Sequence, residues 1–137
     1  MGIEAGLGDV DRLVSFYEAF ARDAGVALPD ARETIERAIR EARLFVWERE
    51  GEVVSLTQRT VATGRSTRVN LVYTPDAHRG YGYASSLVAH VTQVVLDAAP
   101  PSGTEGKPFA CLFTDLANPT SNAIYQAIGY AAVSDFV

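Results

Sequence analysis

A chain of 137 residues has the length of one domain and can bury a real core. At 47% hydrophobic and 21% charged its composition is that of a folded globular protein, and a formal charge of −5 argues against DNA or RNA as the main partner. A lone cysteine, Cys111, cannot close an internal disulfide, and no apolar run nears the ~20 residues that span a bilayer, so the expectation is a cytoplasmic domain with no membrane partner.

The opening "MGIEAGLG" does not read as a strand. Asp9 or Asp11 can cap a first helix, whose apolar positions Leu13, Val14, Phe16, Tyr17, Phe20 and Ala21 recur at helical spacing. Gly25 and Pro29 break it. Asp30 opens a second helix through Ala42, with Ile35, Ala38 and Ile39 on one face. "RLFVWERE" and "EVVSLTQRT" read as strands joined by a tight turn at Gly51. "ATGRST" turns again, and "RVNLVYT" is a third strand. A loop of small residues leads into a helix from Tyr83 to about Ala98. The linker "PPSGTEGKP", a strand "FACLFTD", a short helix "NPTSNAIYQAIG" and a last strand "YAAVSDFV" complete the order.

Three hairpin-joined strands followed by strand–helix–strand–helix–strand predict an α/β (α+β) fold, with a mixed, mostly antiparallel sheet flanked by helices. The crossover from "VNLVYT" to "FACLFTD" should be parallel and right-handed. Residues 1–137 read as a single domain.

The loop carries the chemistry. In "VYTPDAHRGYGYASSL", Val72 to Leu87, a strand runs through a proline turn into Arg79, Gly80, Gly82 and Ala84 and then a helix. A helix start presents amides without intrahelical partners and the positive end of the dipole; small residues let a ligand approach them, and Arg79 adds a cation. This combination suits a phosphate or pyrophosphate. The plainer alternative is that the glycines serve only the turn and Arg79 lies on the surface. A Walker loop is excluded, because no lysine followed by Ser or Thr closes the glycines. A dinucleotide fingerprint fits poorly: five residues, Pro75 to Arg79, stand where a tight turn is needed, and Asp115 lies 35 residues beyond Gly80 instead of ~20.

The same stretch closely resembles the acyl-CoA-binding core of the GNAT superfamily of N-acetyltransferases, in which Arg/Gln-x-x-Gly-x-Gly/Ala opens the helix. Arg79-Gly80-Tyr81-Gly82-Tyr83-Ala84 matches every fixed position. The resemblance implies that backbone amides from about Gly80 to Ser85 hold the coenzyme A pyrophosphate, with Arg79 beside them. It also implies that the backbone of Val72, Tyr73 and Thr74 pairs with the pantetheine arm. A second motif follows in the right order, since Asn118, Tyr125, Gly129 and Tyr130 match the family's Asn, its Tyr seven residues on, and its Gly-Phe or Gly-Tyr. From spacing alone, Asn118 caps a helix ahead of Pro119 and shares a face with Tyr125, whose plain role is half-buried packing. In the family the Asn touches the pantetheine and the Tyr protonates the leaving thiolate.

The implied reaction moves an acetyl group from acetyl-CoA, the donor substrate, to an amine acceptor by direct attack in a ternary complex, without a metal. The alternative is a non-catalytic acyl-CoA-binding module of a larger protein. Backbone amides near Leu71 to Tyr73 are placed for the oxyanion. For the base, Glu48 and Glu50 are the candidates, with water as the substitute; the plain reading of both is hairpin charge. His78 reads as a loop residue, His90 as part of the coenzyme A helix and Cys111 as a buried small hydrophobe. Two departures from the family stand out: no strand is read before the first helix, and the last strand stops at Val137 where relatives continue into a further strand or hairpin arm. That leaves room for a fragment completed by a homodimer or a missing partner segment.

Overall fold

The computed structural model describes residues 2–25, 30–98, 103–112 and 119–131. Among the described residues five strands form one sheet in the order β1-β2-β3-β4-β5: β1 Gly2–Glu4, β2 Leu44–Arg49, β3 Glu52–Arg59, β4 Ser66–Tyr73 and β5 Phe109–Leu112. β1 to β4 pair antiparallel, and β4 pairs parallel with β5 across the helix between them. The four helices are α1 Val10–Ala24, α2 Ala31–Arg40, α3 Tyr83–Asp97 and α4 Pro119–Ile128. The fold class is therefore the one the element order predicts.

One expectation is overturned. "MGIEAGLG" contributes a strand after all, with Gly2, Ile3 and Glu4 opposite Trp47, Val46 and Phe45 of β2. Its alternation is too short to see, and Gly2 is there for a close approach: a Cβ on it would stand 2.8 Å from His90 Cγ. The imidazole of His90 thus packs over β1 and edge-on to Phe45. The last predicted strand beyond Ala131 lies outside the described residues, as do Asp115 and the "FTD" end of the fourth.

Strand alternation divides the core between the two faces of the sheet. Leu44, Val46 and Leu56 pack with Leu13, Tyr17, Ile35 and Ile39 under α1 and α2. Phe45 and Val69 pack with Leu87 and Val91 under α3, with Trp47, Val72 and Leu112 alongside. In β4 the alternation changes phase. Arg59 pairs with Val69, and Gln58 with Leu71, so Asn70 is an extra residue, a β-bulge. Val69 consequently faces α3 while Leu71, two residues on, faces α1 and α2.

Local signals account for the element ends. Asp30 caps α2 by accepting the Glu33 N–H, as expected. Asp9 stands at the N-cap of α1 but turns outward, accepting the Gly6 N–H and pairing with Arg12. α2 stops at Arg40, short of Ala42, because the chain turns left-handed at Ala42 with φ +54°. The Arg43 N–H reaches the Ala38 carbonyl and the Ala42 N–H that of Ile39, which is a Schellman ending with alanine where glycine is preferred. Glu50 and Gly51, both at positive φ, form the two-residue turn between β2 and β3.

Candidate active site

β4 ends at Tyr73, and the chain then makes one 3₁₀ turn, Asp76–His78, before Arg79. Gly80 and Gly82 have φ of +87° and +79°, so glycine is required by the backbone itself. A Cβ on either would meet no atom within 4 Å, and the space above the loop is open. Gly82 is the N-cap of α3, and the first helical bond runs from the Ser86 N–H to its carbonyl. Having no side chain, Gly82 cannot cap the amides that follow, so Tyr83, Ala84 and Ser85 begin the helix with their N–H groups at its positive end. The strand, turn and helix start thus hold Val72, Tyr73, Thr74, Arg79, Gly80, Tyr81, Gly82, Tyr83, Ala84 and Ser85 in one continuous path.

Contacts that the sequence does not announce brace this path. The Arg79 Nε–H donates to the Thr74 carbonyl at 2.8 Å, folding the guanidinium back on the turn. The hydroxyl of Ser55, fully buried, bonds the Tyr73 carbonyl at 3.2 Å and the Thr74 hydroxyl at 2.8 Å, and Thr57 donates to the Leu71 carbonyl. Two side chains of β3 therefore fix the carbonyls at the end of β4. The β2–β3 hairpin also reaches the loop: Arg49 donates to the Tyr83 hydroxyl at 2.7 Å, and His78 lies 3.3 Å from Glu52. Tyr83 stacks on Tyr81, whose ring is 66% exposed. No local pattern could have revealed these bonds, since they join residues 14 to 34 positions apart in different elements.

On the other side, β5 pairs with β4 from Ser66↔Phe109 to Val69↔Leu112. The described part of β5 stops there, at the level of the bulge, while β4 runs on through Tyr73 beside β3.

Tyr125 belongs to a second group, on α4, which packs against α3. The helix ends in a Schellman motif: Tyr130 N–H to the Tyr125 carbonyl, Gly129 N–H to that of Gln126, with Gly129 at φ +124°. This brings the Tyr125 and Tyr130 rings edge-on at 6.4 Å. The Tyr130 hydroxyl bonds that of Thr92 on α3. Burial pushes the Tyr125 phenol above its ordinary value of 10.0, and Tyr130 adds to the shift. Asn118 lies outside the described residues. Cys111 is half-buried, less so than its strand position suggests, with its sulfur 3.6 Å from the Ser66 hydroxyl.

The two candidate bases stand apart from each other. Glu48 is ion-paired with Arg12, which also holds Asp9. Glu50 occupies the hairpin tip in a left-handed conformation. Among the described residues, no three His, Cys, Asp or Glu side chains gather to hold a metal, and no helix is long and apolar enough to cross a membrane.

A family model described as the acetyltransferase (GNAT) family matches residues 13–130. Solved structures share the fold at low identity. A GNAT-family acetyltransferase from Bacillus cereus superposes with a TM-score of 0.71 at 17% identity, over 98% of this chain and 84% of that one. An aminoglycoside acetyltransferase from an uncultured soil metagenomic sample gives 0.75 at 13%, over 100% and 91%. Ribosomal-protein-alanine N-acetyltransferase from Brucella melitensis gives 0.72 at 19%, over 94% and 83%. Among curated proteins, none is similar enough in sequence to match.

Proposed function

Because this chain belongs to the acetyltransferase (GNAT) family, we infer that it is an enzyme that transfers an acetyl group from acetyl-CoA to a primary amine within a ternary complex. The observation that carries this reading is the loop between β4 and α3. It combines two glycines at positive φ, open space above both, and a helix start that no side chain caps. Diphosphate oxygens can approach such amides closely, and the dipole favours their charge. Arg79 supplies a permanent cation beside them.

The roles of the remaining residues follow from the family motifs and, for all but Asn118, from their place in the fold. The backbone of Val72, Tyr73 and Thr74 offers a strand-like edge to the pantetheine amides, with Asn118 as a further contact. Amides of Leu71 to Tyr73, held rigid through carbonyls that Ser55 and Thr57 fix, are the donors for the oxyanion. Tyr125 is the acid that faces the departing sulfur. A phenol above 10 is a weaker acid than a thiol near ~8.5, so Tyr125 acts first as a hydrogen-bond donor to the developing thiolate. The acceptor's ammonium proton passes to water, since Glu48 is committed to Arg12.

A thermal-shift panel of acetyl-CoA, coenzyme A, NAD and ATP tests the reading. Acetyl-CoA at 100 times its dissociation constant should add ~2.7 kcal/mol of stability, and NAD none. Binding of NAD without coenzyme A would overturn it. An amine screen with acetyl-CoA then identifies acceptors.

A further inference from the structure

One side-chain pair joins the last turn of α1 to the end of β4. The Tyr73 hydroxyl donates to Asp23 Oδ2 at 2.6 Å. The tyrosine is only 6% exposed, and Phe16 and Phe20 hold its ring edge-on, each with centroids at 5.4 Å. Asp23 itself is exposed. A solvent-facing carboxylate is thus anchored at the rim of three aromatic rings.

Among the described residues, which include all twelve Lys and Arg of the chain, no Lys or Arg is ion-paired with Asp23. On the same helix, Asp11 pairs with Arg32, and Asp9 at its N-cap pairs with Arg12. A tether between α1 and β4 needs only an acceptor, which a neutral amide would supply. A carboxylate that accepts one bond from a phenol hydroxyl has lone pairs left over for a second donor.

Position gives this charge a use. Tyr73 is the last residue of β4 and projects toward α1, while Val72 projects toward α3, whose N-terminus closes the β4–α3 loop. On the acetyltransferase reading above, on which this inference rests, the donor enters from the α3 side and its acyl end lies along Val72 to Thr74. The α1 face remains for the acceptor. We propose that Asp23, positioned by Tyr73, binds the protonated amine of the acceptor and selects alkylamines, cationic at neutral pH, over weakly basic arylamines.

Steady-state kinetics with acetyl-CoA test this, using a primary alkylamine series and an arylamine, on wild type, Asp23→Asn, Asp23→Glu and Tyr73→Phe. Asp23→Asn should raise the alkylamine KM by about 10-fold or more, with kcat within about 3-fold and arylamine kinetics within about 2-fold. Asp23→Glu should recover part of the loss, and Tyr73→Phe should cost less because the charge survives. Added salt should raise the alkylamine KM of wild type and not that of Asp23→Asn. Equal losses for both amine classes with a lowered melting temperature would make Asp23 a tether only. A wild type that prefers the arylamine would overturn the proposal as well, as would an unchanged alkylamine KM in Asp23→Asn. If acetyl-CoA fails to bind, or neither amine class is acetylated, the acetyltransferase reading falls and the role of Asp23 with it. That outcome is distinct from intact turnover indifferent to Asp23.

Discussion

Replacing Gly82 by alanine separates the two reasons a glycine can stand there. At φ +79° an L-residue is strained, by about 1–2 kcal/mol, whether or not a ligand is present. Gly64, in the turn between β3 and β4, has φ +59° and likewise no atom within 4 Å of a would-be Cβ. Gly64→Ala therefore carries a comparable strain far along the chain from the loop. Both variants should lose about 1–2 kcal/mol in denaturant unfolding, a drop of roughly 4 °C per kcal/mol for a domain of this size. Strain common to free and bound protein cancels from the dissociation constant. Only a methyl group that crowds the phosphates weakens binding. Calorimetric titration of acetyl-CoA should then show a loss of at least about 10-fold, or ~1.4 kcal/mol, for Gly82→Ala and none for Gly64→Ala. Wild-type affinity in both variants, with stability lowered in both, would leave the glycines as turn residues and refute the loop as the donor site.

Tyr125→Phe removes one oxygen from a half-buried ring, so acetyl-CoA should bind as before while kcat and kcat/KM fall together by ~10². Full kcat with a good acceptor would exclude the acid role. The protonated phenol is the active form, and it is lost only as pH rises through a pKa above 10.0, so Tyr125 should produce no falling limb in the rate profile below pH 10. Ala42→Gly should stabilise the fold by about 1 kcal/mol in urea titration, since it relieves a left-handed alanine at the end of α2. No gain there would mean that the Ala42 conformation costs nothing.

The elements that could be read were those with local signatures. Asp30 before a 3.6-residue pattern, Gly51 between two alternating runs, and the small residues ahead of Tyr83 all act within one turn of chain. The crossover from β4 to β5 followed from the topology rule alone. β1 escaped because three residues carry no periodicity, and its place is set by His90, almost ninety positions away. The backbone form of the loop between β4 and α3 was legible because glycine spacing is a backbone property. The bonds that brace it were not, because Ser55, Thr57 and Arg49 act across the sheet. Asp23 was silent for the same reason: in sequence it is one more acid on a charged helix, and only Tyr73 distinguishes it.

On the proposed reading, in which donor and acceptor meet at the end of β4, the bulge at Asn70 has a use. In an uninterrupted strand Val69, Leu71 and Tyr73 would share a face, and Val69 packs under α3. Tyr73 would then project beneath α3, and Val72 toward α1. The extra residue reverses both assignments: Val72 joins the α3 cluster, and Tyr73 meets Phe16, Phe20 and Asp23. The bulge also stands just past Val69, the last β4 residue paired with the described part of β5. Beyond that point β4 keeps β3 on one side, with its carbonyls bound by Ser55 and Thr57, and turns one side chain to each face. A donor from the α3 side and a cationic acceptor from the α1 side would then meet at the same three residues, Val72 to Thr74. Proteins fix such a meeting point by register, because a shift of one residue moves every side chain to the other face.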